Sequence, residues 1–151
     1  MAITPTVFYR DPKAALDWLQ KAFGAEVSML LTDAKGDIAH CEVSLSGSNV
    51  GVAGEWTGPQ LGGASMKSPV SLGGAGTQFL WVDTPDVDGL TARAEAAGAR
   101  IAQRPEDQFY GDRTCRVLDI DGHVWCFRHK VAEVSTAEME RITGLKVEVS
   151  P

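Results

Sequence analysis

Positive charge is scarce: 14 Lys and Arg face 20 Asp and Glu, which leaves the 151-residue chain at a formal −6. Nucleic-acid binding draws on a surplus of basic residues, so this balance argues against such a partner. Cysteine is sparse too. Cys41, Cys115 and Cys126 cannot all pair, and their spacing matches no zinc-ligand pattern. Free thiols in a reducing cytosol are expected. No apolar run approaches the roughly 20 residues that cross a bilayer. The start MAITPTVFYRD has no basic segment and no long apolar run, so no signal peptide is read there. A cytoplasmic protein with no membrane or nucleic-acid partner is expected. Also missing are a Ser-His-Asp signature, a phosphate loop and a dinucleotide fingerprint.

What is present repeats. In DPKAALDWLQKAFGAEV, Asp11 suits a helix cap, Pro12 a first turn and Gly24 a stop. Ala15, Leu19, Ala22 and Phe23 share one helical face. TPDVDGLTARAEAAGARI has the same punctuation, with Thr84 as the expected cap, Pro85 opening the helix and Gly98 closing it. Each helix follows a short apolar run, 4–10 or 77–83, and precedes a strand-like segment. Matching positions lie roughly 75 residues apart. GDIAHCEVSLSGSNVGVAG aligns with GDRTCRVLDIDGHVWCFRH, placing Cys41 over Cys115 and Val43 over Val117. Each half therefore reads βαβββ, and the fold class expected is α+β with two tandem βαβββ modules.

The boundaries follow: module one at 3–56, a connector at 57–76, module two at 77–131 and a tail at 132–151. The connector holds six glycines, two prolines and one charge, Lys67. It reads as flexible, without regular structure. In the tail, Ser135 and Glu138 have capping-box spacing, which predicts a short helix ending at Gly144.

FYGDRTCRVLDIDGHVWCF (109–127) mixes aspartates, His123 and Cys126. The further ligands of a calcium loop are absent. DIDGH reads instead as a structural turn between strands, with Gly122 free to take positive φ and His123 making no contact with a cavity. YGDR…RVLDIDGHVWCF closing a second βαβββ module, with HCEVSLSGS in the first, resembles the vicinal oxygen chelate superfamily. This is the glyoxalase/bleomycin-resistance type, and the phrase is most similar to its PhnB-like branch. The resemblance implies two modules curled around a shared cavity, a homodimer and, in enzymatic members, a divalent metal acting as Lewis acid. Carried over by residue, the ligand positions fall on Thr4, Thr77, Cys126 and the region of Val52. None is a carboxylate or imidazole, so no metal and no other cofactor is expected.

Period-two alternation in IAHCEVSL puts Cys41, Val43 and Leu45 on one face and His40 and Glu42 on the other. His40 and Glu42 are the candidate acid/base pair. Glu55, Trp56, Thr77, Phe79, Tyr110, Arg113 and Cys126 are the candidate ligand contacts. Trp56, Phe79 and Tyr110 would supply apolar surface, and Arg113 would clamp an anion. Trp18, Trp81 and Trp125 are expected in the core. The leading expectation is a protein that binds a small organic molecule between its modules without the superfamily metal. The alternatives are a glyoxalase-like lyase or isomerase using His40 and Glu42 or a shifted metal site at Glu55, and a ligand-free dimeric structural module.

Overall fold

Helix α1 (Pro12–Phe23) is closed at both ends by the residues its sequence offers. The Asp11 carboxylate accepts from the Lys13 and Ala14 backbone N–H groups at 3.0 and 3.1 Å, a cap worth about 1 kcal/mol. Gly24 takes a left-handed φ of 69° and donates to the Gln20 carbonyl. Ala15, Leu19, Ala22 and Phe23 are buried between these caps. The structure, a computed structural model, describes residues 3–149.

Strands β1 (Thr6–Tyr9), β2 (Glu26–Thr32), β3 (Ile38–Leu45) and β4 (Ser48–Gly54) form one sheet in the order β1-β4-β3-β2, with β1 and β4 parallel. Thr4 lies ahead of β1. The connector is more structured than its composition predicts. β5 (Trp56–Thr57) pairs with β6 (Ser65–Met66), and single 3₁₀ turns form at Pro59–Leu61 and Pro69–Leu72. Glycines in left-handed conformation end both turns, which is where much of its glycine goes.

The second sheet repeats the first. β7 (Phe79–Asp83), β8 (Arg100–Asp107), β9 (Asp112–Leu118) and β10 (Val124–Lys130) take the order β7-β10-β9-β8, again with the outer pair parallel. Helix α2 (Val87–Ala96) starts later than Thr84-Pro85 suggests. The Thr84 N–H donates to the Arg128 carbonyl and extends the pairing of β7 with β10 by one residue, and Asp86 is the cap, its carboxylate accepting from the Gly89 N–H at 2.8 Å. Helix α3 (Thr136–Thr143) matches its capping box: Ser135 Oγ accepts from the Glu138 N–H, and Gly144 closes it. No helix among the described residues is long and apolar enough to cross a membrane.

The two cores merge beneath the helices. Cys41 and Val43 are buried with their counterparts Cys115 and Val117. Phe23 meets Trp125 and Phe127 edge-on at 5.3 and 4.8 Å. Arg93 of α2 donates to the Lys21 and Gln20 carbonyls at the end of α1, where a cation also suits the helix dipole. Trp18 is half-buried, with its indole N–H on the Ala97 carbonyl at 2.8 Å. Trp81 departs from expectation. It is 42% exposed beneath the Arg128 guanidinium, because its strand neighbours Leu80 and Val82 take the core side.

The second joint is the DIDGH turn. Asp119 is buried, and its carboxylate accepts four hydrogen bonds: Tyr9 O–H at 2.7 Å, Trp125 Nε1 at 3.0 Å, and the Asp121 and His123 backbone N–H groups at 3.0 and 2.9 Å. Asp121 accepts from the Arg10 backbone N–H at 2.7 Å, and His123 Nε2 meets the Phe8 carbonyl at 2.7 Å. Three consecutive residues of β1 and its exit are thereby tied to one turn of module two. Replacing Asp119 by Ala should cost on the order of 3 kcal/mol in urea unfolding, since each orphaned buried donor costs about 1–3 kcal/mol. Tyr9→Phe should cost less, about 1 kcal/mol, because the carboxylate keeps its other donors. Equal stability of Asp119→Ala and the wild type would contradict this.

Candidate functional site

On the first sheet the face away from α1 is open, and its register sets out a cleft. Thr6 pairs with Gly51, Gly51 with Glu42, and Glu42 with Met29, giving one row across four strands. Phe8 pairs with Ala53, and His40 with Leu31, in the next row. The centre of each row is a small residue, because β4 alternates Val50 and Val52, both buried in the core, with Gly51 and Ala53. The result is a cleft of about 490 Å³ with Gly51 and Ala53 in its floor and Phe8, His40 and Trp56 around it. A Cβ at Gly51 would lie 2.6 Å from Thr6 Oγ1, so any larger residue there would have to displace the Thr6 side chain.

His40 and Glu42 come together as a pair, His40 Nε2 to Glu42 Oε1 at 3.1 Å, with the other Glu42 oxygen held by Asn49 Nδ2 at 3.1 Å. His40 borders the cleft and is half-exposed. Glu55 also borders it, but its carboxylate is engaged. Oε1 accepts from the Ser68 N–H at 3.0 Å and the Ser68 hydroxyl at 2.9 Å, while Lys67 reaches Oε2 at 3.4 Å. Glu55 is the latch that fastens the connector to the end of β4. These partners would compete with the shifted metal site considered from sequence.

A second cavity of about 320 Å³ lies between the modules, under the connector. It shares Thr6 and Phe8 with the cleft and adds Lys67, Thr77 and His123. The placement of His123 corrects the expectation that its ring has no cavity contact. The turn around it is structural, yet the ring that holds the Phe8 carbonyl also forms part of the cavity wall.

The remaining candidates lie on the second sheet or, for Tyr110, in the turn between β8 and β9, and do not border either cavity. Phe79 is 52% exposed and packs edge-on to Trp81. Cys126 is fully buried but outside the main core cluster; burial pushes its thiol up, and a hydrogen bond from Arg116 opposes that. Tyr110, near Arg116 and Arg128, is likewise raised, chiefly by burial. Arg113 turns toward α2. Its guanidinium grips Asp88 at 2.6 and 2.8 Å and Asp107 at 2.8 Å, so each nitrogen of the expected anion clamp already donates to an aspartate. Those two aspartates raise its pKa further. Arg116, missed in the sequence, is exposed and joins no salt bridge among the described residues.

Two four-stranded sheets of identical order, each backed by one helix, define the class of paired βαβββ proteins. The chain belongs to the Glyoxalase/Bleomycin resistance protein/Dioxygenase superfamily, whose description matches residues 3–127. An uncharacterized protein of Mycobacterium bovis, Mb0911c, is 32% identical over 139 residues, covering 92% of this chain and 90% of that one. Among solved structures, TioX from Micromonospora sp. ML1 is similar with a TM-score of 0.65 and 28% identity over 87% of this chain and 99% of its own. A mutant of the fosfomycin resistance protein FosX from Listeria monocytogenes, solved with Mn(II) and dihydroxypropylphosphonic acid, shares the fold at a TM-score of 0.60. It is 19% identical over 94% of this chain and 97% of its own.

The superfamily's metal does not fit the residues here. Val52 points into the core, Thr4 precedes β1, and Cys126 is fully buried opposite Arg116 on β9. Among the described residues no group of three His, Cys, Asp or Glu is placed to hold a metal ion.

The Glu55 latch carries a pH signature. Hydrogen bonding from the Ser71 hydroxyl, then the Ser68 backbone and side chain, and Lys67 holds its carboxyl down to about 2 from a usual 4.5. A carboxylate lowered in the folded state contributes stability above the usual value and loses it as pH falls toward 2. Glu55→Gln should therefore be less stable than wild type at neutral pH, with the gap narrowing between 4.5 and about 2. Thermal melts across that range test this, and a pH-independent gap would contradict it.

Proposed function

We propose that this protein binds a small organic molecule in the cleft of the first sheet and does so without the superfamily metal. The observation that carries the reading is the floor of Gly51 and Ala53 between Phe8, His40 and Trp56. Small residues at the centre of a sheet leave room for a ligand, and Phe8 and the 45%-exposed Trp56 offer ring faces to it. The Gly-Asp-Arg and Asp-Gly-His phrases support a place in the PhnB-like branch. A fragment screen followed by backbone NMR tests the site. Ligands should shift Gly51, Ala53 and Trp56. Trp56→Ala should weaken an aromatic ligand about tenfold, as expected for about 60 Å² of lost apolar contact. Hits that shift only the second sheet, with unchanged affinity in Trp56→Ala, would contradict the reading.

The paired His40 and Glu42 favour a second reading, a lyase or isomerase. An imidazole held by an anchored carboxylate at the edge of a cleft is equipped to move a proton. His40→Gln would then abolish turnover of a bound substrate while leaving its affinity within a few-fold. Loss of both together would count against an acid/base role.

We also propose a homodimer. Every residue of β2 is exposed, with Val27, Met29, Leu30 and Leu31 between 40 and 50%. An apolar edge strand of this kind invites a second chain, and twofold closure is the commonest way to cover it. Light scattering at micromolar concentration should give twice the 16.1 kDa chain mass. A monomer mass there would contradict it.

A further inference from the structure

The cavity beneath the connector has its own chemistry, separate from the cleft. His123 Nε2 lies 2.7 Å from the Phe8 carbonyl, and a carbonyl can only accept. Nε2 therefore carries the proton, and in the neutral ring Nδ1 is a lone-pair acceptor. Nδ1 has no partner among the described residues. Among the described residues no buried side-chain nitrogen or oxygen lacks a partner, so Nδ1 reaches accessible space, and the cavity that His123 lines is this one. Lys67 sits on the same wall, and its one contact is the 3.4 Å approach to Glu55, a carboxylate already bonded to Ser68. Phe8, Met66, Pro69 and Leu72 supply apolar surface.

We infer that this cavity is a second binding site, for an organic acid with an apolar body and a hydroxyl remote from the carboxylate. Lys67 meets the carboxylate, His123 Nδ1 accepts from the hydroxyl, and the apolar side chains hold the body between them. The connector forms the roof of the site, and the Glu55–Ser68 latch keeps it in place.

Three probes on the whole chain test this: phenylacetate, 3-hydroxyphenylacetate and 4-hydroxyphenylacetate. Long-range ¹H–¹⁵N spectra of the free protein should show His123 as the Nε2–H tautomer near pH 8. One of the hydroxylated acids should bind three- to tenfold more tightly than phenylacetate, the gain of one hydrogen bond, and should move the His123 Nδ1 resonance. Phenylacetate should leave that resonance in place. Lys67→Met should weaken all three acids, and His40→Gln should weaken none, which separates this site from the cleft. An Nδ1–H tautomer, equal binding of all three probes, no binding of any, or insensitivity to Lys67→Met would overturn the inference.

Discussion

One buried carboxylate organises the molecule. Asp119 gathers donors from both modules, and among the described residues no other group accepts from the Tyr9 hydroxyl or the Trp125 indole. A buried charge is tolerable only when hydrogen-bonded on every side, and four donors meet that condition. The consequence is positional. Tyr9 fixed on Asp119, Arg10 on Asp121 and Phe8 on His123 lock β1 against the turn before β10. The other faces of β1, Thr6 and Phe8, then become the wall shared by both cavities. The clamp that joins the modules also sets the geometry of the candidate sites.

The superfamily fold survives here with a different interior. A chelated metal needs several converging donors, and this chain places threonines, a buried valine and a covered thiol at those positions. What replaces them is space and ring surface: Gly51 and Ala53 below, Phe8 and Trp56 around. His40 and Glu42 are the polar pair beside this space, 3.1 Å apart. The connector adds a built roof, held by a carboxylate whose hydrogen bonds come from the serines of its own 3₁₀ turn.

Much of this was legible in the sequence where the signal is periodic. Both helices, the duplicated sheet, the α3 cap, the Cys41–Val43 face and the opposing His40–Glu42 face all follow from caps and alternation. Arg113 was misread although the same alternation applies to it. It shares phase with Cys115 and Val117, which face the helices, whereas Arg116 has the opposite phase. The alternation of Val and small residues in SNVGVAG likewise marks the cleft floor. Other features have no local signal. Glu55 finds Ser68 through an irregular connector, and His123 finds a carbonyl 115 positions earlier. Thr84 has the side chain of a cap, but strand pairing with β10 extends to it and the helix starts two residues later at Asp86.

The central claim is that this chain keeps the paired-module fold while holding its ligand without a metal. Elemental analysis of protein purified without a metal-binding tag addresses it most directly. Zinc, nickel, iron and manganese should each lie far below one atom per chain, and ligand binding should survive dialysis against a chelator. Near one metal per chain, with binding lost on chelation and restored by that metal, would contradict the account.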